Sequence, residues 1–174
     1  METTLEAIGR WLTPHRPGYA STLRSPASDE SIEALKSAVD ARLPDDFVLL
    51  YRWHDGQDPH SFDSLVDNWM FMPVADVIET KAMLDGMIGY DFDDPETWRR
   101  GWVPFMSNGG GSYLCLDLEA RRGVPGQLIA FWKGDADRPI THPSVRVWAD
   151  EMLEAMRNGC YDQETGFIAR PLET

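Results

Sequence analysis

Residues 102–118, WVPFMSNGGGSYLCLDL, place three consecutive glycines and a serine between two apolar runs. The second run alternates Tyr113, Cys115 and Asp117 against Leu114, Leu116 and Leu118, the two-residue period of a strand. Glycine reaches positive φ without a Cβ penalty, so GGG between two strand-like runs predicts a tight antiparallel hairpin. A phosphate cradle would need a Lys after the glycines and a helix whose positive end faces the loop. Here no Lys follows, the next segment alternates as a strand, and the nearest charges are Asp117 and Glu119.

The rest of the chain fits around that hairpin. GQLIAFWKGD supplies a further strand from Leu128 to Lys133, and WMFMPV, Trp69 to Val74, reads as a short buried strand. Thr3 or Thr4 can cap a first helix that ends at Leu12, with Leu5, Ile8 and Leu12 on one face; the Pro- and Gly-containing segment 13–21 breaks it. Ser28, with Asp29 and Glu30 behind it, opens a helix whose Ile32, Leu35, Val39 and Leu43 recur at three- and four-residue steps. Pro44 suits the first position of the next helix, which buries Phe47, Leu50 and Tyr51 and stops near Gly56. PVADVIETKAMLDGMIG offers Val77, Met83, Leu84 and Met87 to a core. A closing helix starts at Ser144 and stops at Gly159, and the tail beyond it carries Phe167 and Ile168 as anchors. The expected fold is a single α+β domain with a small, mostly antiparallel sheet flanked by helices. Residues 1–27 form an N-terminal helix and linker, 28–158 the main body, and 159–174 a tail.

Charge and composition narrow the partners. The chain has 174 residues, 29 acidic against 16 basic, a net charge of −13. Bare nucleic acid and anionic membrane would both repel it, and a cationic partner would be attracted. No stretch approaches a transmembrane span and no signal peptide is evident, so a cytoplasmic protein is expected. Cys115 and Cys160, without a CxxC partner, read as reduced thiols, one of them in the core.

Catalytic patterns are sparse. His15, His54, His60 and His142 show neither HxH nor HExxH spacing, so no zinc site is expected. Asp91, Asp93 and Asp94 match the opening of a calcium loop, but Glu96 and Trp102 stand where its glycine and glutamate belong. Ser112 has no elbow helix after it. His54 and Asp55, adjacent at a helix end, point in different directions and read as helix termination, not as an acid/base pair. No catalytic residue, cofactor or metal is expected.

The ordered series LPDDFVLLYRWHDGQ, WMFMPVADV, WVPFMSNGGGSYLCLDL, GQLIAFWKGD and SVRVWADEMLEAM resembles the SUKH superfamily, which contains fungal Smi/Knr cell-wall regulators and many bacterial immunity proteins. The resemblance covers roughly residues 28–158. It implies a non-enzymatic protein-binding domain, an immunity protein that occludes a cognate toxin such as a nuclease or other cytosol-acting enzyme. A scaffold or regulatory domain like the fungal members is the alternative, and a hydrolase built on Asp and His groups a third; monomer and weak homodimer both stay open. For such a role the expected contact residues are an acidic rim of Asp55, Asp58, Asp63 and Asp67, with Asp91, Asp93 and Asp94, and exposed aromatic anchors Tyr90, Phe92 and Trp98.

Overall fold

A computed structural model describes residues 1–170 of the chain. Five strands, β1 (Met70–Phe71), β2 (Trp102–Ser107), β3 (Tyr113–Asp117), β4 (Gln127–Phe131) and β5 (Ile140–His142), form one antiparallel sheet in the order β1-β2-β3-β4-β5. The glycine segment is the bend between β2 and β3, as expected. Ser107 pairs with Tyr113, and the Asn108 N–H donates to Ser112 O at 3.1 Å. Gly109 and Gly111 take φ of 73° and 89°, which only glycine adopts without strain. The Asn108 side-chain oxygen accepts the N–H groups of Gly110 and Ser112, so the bend is held from within.

The strands differ from expectation at the margins. β1 is two residues long, because Met72 and Pro73 already turn the chain into the following helix. β4 ends at Phe131, where the Asp135 N–H closes a turn on Trp132 O. β5 went unforeseen: three residues between Pro139 and Pro143 carry no readable period.

Six helices surround the sheet: α1 (Glu2–His15), α2 (Pro17–Ala20), α3 (Asp29–Ser37), α4 (Asp45–Trp53), α5 (Val74–Gly86) and α6 (Val145–Arg157). α1 does not stop at Leu12. It runs through Pro14 to His15, and Pro17 then starts α2. A proline in the last turn removes a single ladder bond, which the closing Arg16 N–H to Leu12 O bond and the Thr13 hydroxyl on Gly9 O offset. Met1 rather than a threonine precedes the helix, and Thr4 instead donates to Asp150 on α6 at 2.7 Å. Ser28 caps α3 through the Ser31 N–H and Ser144 caps α6 through the Val147 N–H, both as the sequence indicates. α3 ends at Ser37, so Val39 and Leu43 enter the core from the connecting loop.

The sheet is buried on both faces. On one, Phe47 of α4 and Trp148 of α6 pack edge-on against Phe105, and Leu5, Ile8, Leu12, Ile32 and Leu35 of α1 and α3 share their core with Leu114 and Leu116. On the other, Leu84 of α5 and Trp98 pack on Trp102, Cys115, Ile129 and Phe131. Both sides of the β3 alternation are therefore apolar contacts. Arg16 is 5% exposed and ties three segments together. It donates to Ser64 O at 2.9 Å and to the Tyr161 hydroxyl at 2.6 Å, and its guanidinium lies 4.8 Å from the Tyr19 ring center. Tyr161 and Ile168 anchor the tail; Phe167, expected to do so, is exposed, and residues 171–174 lie outside the described residues.

Candidate partner-binding surface

Between α5 and the sheet lie two concavities, of about 300 Å³ and about 480 Å³, that share Tyr113. The first is walled by Asp58, Phe62, Met70, Asp76 and Thr80, the second by Met83, Met87, Phe92, Phe131 and Lys133. Asp76, Thr80 and Met83 of α5 and Met87, which caps its end, follow steps of four, three and four residues and so share one helical stripe. Both concavities border that stripe and meet at Tyr113, and together they are called the groove; α5 beside them is about 20 Å long.

The sequence HDGQ, residues 54–57, builds the groove's acidic end. Asp55 accepts the Val74 N–H at 2.8 Å, capping the first turn of α5, and lies 3.6 Å from Arg24. Gln57 is 2% exposed and rivets the loop to the sheet: its oxygen accepts the Phe71 N–H at 2.9 Å and its nitrogen donates to Asp63 O at 2.7 Å. His54 stands apart from Asp55, with Nδ1 against Arg24 O.

The expected contact residues divide. Asp58 lines the groove, and Asp63 is exposed on the same loop. Tyr90 is 81% exposed; Asp91, Asp93 and Asp94 are exposed beyond the end of α5. Phe92 is half-buried in the groove, with its ring centroid 6.2 Å from that of Phe131. Trp98 is a correction. It is 2% exposed, donates Nε1–H to Asp85 at 2.8 Å, and packs edge-on against Trp102 and Phe131, so it is a core residue and no exposed anchor. Asp55 is engaged in capping, as above. Asp67 is drawn the other way, holding Arg170 at 3.0 Å and the Ile168 N–H at 3.0 Å, which fastens the tail.

Met83 was expected in the core and is 53% exposed on the groove wall. Its place in the helix interior is taken by Lys81, 4% exposed and paired with Asp85 at 2.9 Å. Sequence reading also missed Phe62, 84% exposed, and Tyr113. The signal for Met83 was available: Thr80 and Met87 share its stripe, whereas Val77, Lys81 and Leu84 share the buried one.

Among the described residues, Asp58, Asp63, Asp76, Glu79, Asp91, Asp93 and Asp94 make no ion pair. They run from one end of α5 to the other. Burial, then the neighbouring Glu79, pushes the Asp76 carboxyl above its ordinary range, against the opposing pull of Arg24. Lys133 and Arg138 stand only at the far end of the second concavity. No group of three or more metal-ligating side chains converges among the described residues, and no helix of the described residues is long and apolar enough to cross a membrane.

A five-stranded antiparallel meander with helices over both faces and an open groove beside one of them defines a small α+β domain organised around a surface. The chain belongs to the SMI1/KNR4 family (SUKH-1), whose model matches residues 26–151. No curated protein matches it at a significant level.

Proposed function

We propose that this chain is a non-enzymatic binding protein of the immunity type, which neutralises a cognate toxin by covering its active cleft. The observation that carries this reading is the pairing of the apolar groove residues Tyr113, Met83 and Phe92 with a rim of carboxylates that make no ion pair among the described residues. An apolar center ringed by charge is how stable protein interfaces are built. The rim suits a cationic partner, and a toxin that cleaves nucleic acid must carry such a surface to meet phosphates. A net charge of −13 adds long-range steering. The contact set under this reading is Asp58, Asp63, Tyr90, Asp91, Phe92, Asp93 and Asp94, with Met83 and Tyr113 added from the groove.

Co-purification with the products of adjacent genes, followed by growth rescue from the captured protein, tests the role. Rescue supports immunity. Capture of a housekeeping regulator with no toxicity to relieve replaces it with a scaffold role. For the surface itself, reversing Asp91, Asp93 and Asp94 to lysine should slow association by tenfold or more at low salt, an order of magnitude typical of lost steering. The same variant should flatten the salt dependence of the rate, since screening acts over about 8 Å at physiological ionic strength. Unchanged association rates exclude this loop from the interface.

A further inference from the structure

Four of the chain's eight methionines, Met70, Met72, Met83 and Met87, line the two concavities beside α5. Methionine is unbranched and polarisable, so a wall of it moulds itself to apolar side chains of varied shape. Phe62 stands 84% exposed at the first concavity, and Met83 is 53% exposed at the second. Large apolar residues left in water around a recess mark a surface that another molecule covers. Volumes of about 300 Å³ and about 480 Å³ are room for inserted side chains, with the backbone that carries them lying outside.

Charge is unequal along the groove. Asp58, Asp76 and Glu79 line the first concavity with no basic side chain among them, and Arg24 nearby is turned to Asp55, 3.6 Å away. Lys133 and Arg138 line the second against Asp135, a balance of 2 − 1 = +1. Cationic groups of an occupant therefore belong over the first concavity and its apolar groups over the second. The backbone decides the occupant's conformation. An extended segment needs a strand edge with unpaired groups, and the edge beside the groove is β1. There the Trp69 N–H donates to Val66 O at 2.9 Å, and Trp69 O accepts the Leu65 N–H at 2.8 Å. Gln57 holds both groups of Phe71, each at 2.9 Å. That edge is closed. A helix satisfies its own backbone and asks a groove only for places to seat side chains at i, i+3, i+4 and i+7.

We infer that the groove takes an amphipathic helix of a protein partner, with Lys or Arg at the end over Asp58, Asp76 and Glu79 and large apolar side chains lodged against Met83, Met87 and Phe92. This deepens the binding role proposed above and rests on it, naming how the partner is held whatever that partner's activity.

The test uses the full chain with isotope-labelled methionine methyls, assigned by single Met→Leu changes. The probe is a synthetic peptide of about 14 residues, the span of α5, with Leu at i, i+3, i+4 and i+7. Its polar face carries Lys in one half and Gln in the other. It should move the Met70, Met83 and Met87 methyls saturably and leave Met152 and Met156 of α6 in place. Glu79→Lys should raise the half-saturating concentration about two- to fivefold, and Met83→Lys about tenfold or more. A spin label at the Lys end should broaden Met70 before Met87. The inference is overturned if no groove methyl moves, if the same residues in strict alternation bind as tightly, or if Glu in place of Lys does. It is equally overturned if both variants titrate like the parent chain, or if the label broadens Met87 first. Growth rescue reads the role separately: rescue with no peptide binding sinks the helix alone, and peptide binding with no rescue sinks the toxin role alone.

Discussion

At Gly56 the backbone takes φ 70°, and a Cβ there would lie 2.3 Å from Pro73 N and 2.5 Å from Met72 C. Both are backbone atoms at the turn into α5 and cannot give way as a side-chain tip could. Gly56→Ala should therefore lower stability by well over the about 1–2 kcal/mol of a left-handed side chain alone, read as a fall in urea midpoint. His54 and His142 act at the same scale through protons. Burial holds both imidazoles below their ordinary range, against the opposing pull of the Arg24 carbonyl on His54 and of Glu151, 3.3 Å away, on His142. The unfolded chain then takes up protons below about pH 6.5 that the folded chain refuses. Stability from these residues is present above that pH and is lost as pH falls through it toward the folded values. Urea midpoints at pH 7.5 and 5.5 should differ in that direction, and His54→Gln with His142→Gln should flatten the difference.

Among the elements, α5 has two stripes with different duties. Leu84 is 4% exposed in the second core, and Met83 beside it is 53% exposed on the groove. Leu84→Ala should cost about 2–5 kcal/mol, as large-to-small core changes do. Met83→Lys should stay within about 0.5 kcal/mol, as surface changes do, while weakening partner binding, a separation that paired denaturation and binding measurements can read. This is also where the limits of sequence reading lie. The hairpin, the α3 and α6 caps and the α4 stripe were legible because each rests on local chemistry: glycine φ, a hydroxyl before a helix, a period of apolar residues. The exposure of Met83 was legible in the stripe it shares with Thr80 and Met87. The burial of Trp98 was not, because the second face that covers it is assembled from segments 84–102, 115 and 129–131 that are far apart in sequence. The length of α1 was hidden for a related reason. Its Leu5, Ile8 and Leu12 are buried in the core where α1 packs on α4 and α6, and that packing outweighs a proline in the final turn.

For the whole molecule, a sheet covered on both faces gives the two thiols opposite fates. Cys115 is fully buried, and burial pushes its thiol well above the ordinary range; Cys160 is exposed after α6, and the two are not bonded to one another. A thiol reagent should modify Cys160 in the native protein and reach Cys115 only when the sheet opens, so the slower rate should track unfolding across a denaturant series. Equal fast rates would mean that the second core is not closed in solution. The strand order carries a further consequence. Each strand is hydrogen-bonded to the one that precedes it in the chain, so every pairing in the sheet can zip up across a modest stretch of polypeptide. Contacts such as Thr4 with Asp150 join residues 146 positions apart. Because closing so large a loop is entropically slow, the central hairpin belongs to the early part of the folding reaction, and the seating of α1 against α6 completes it.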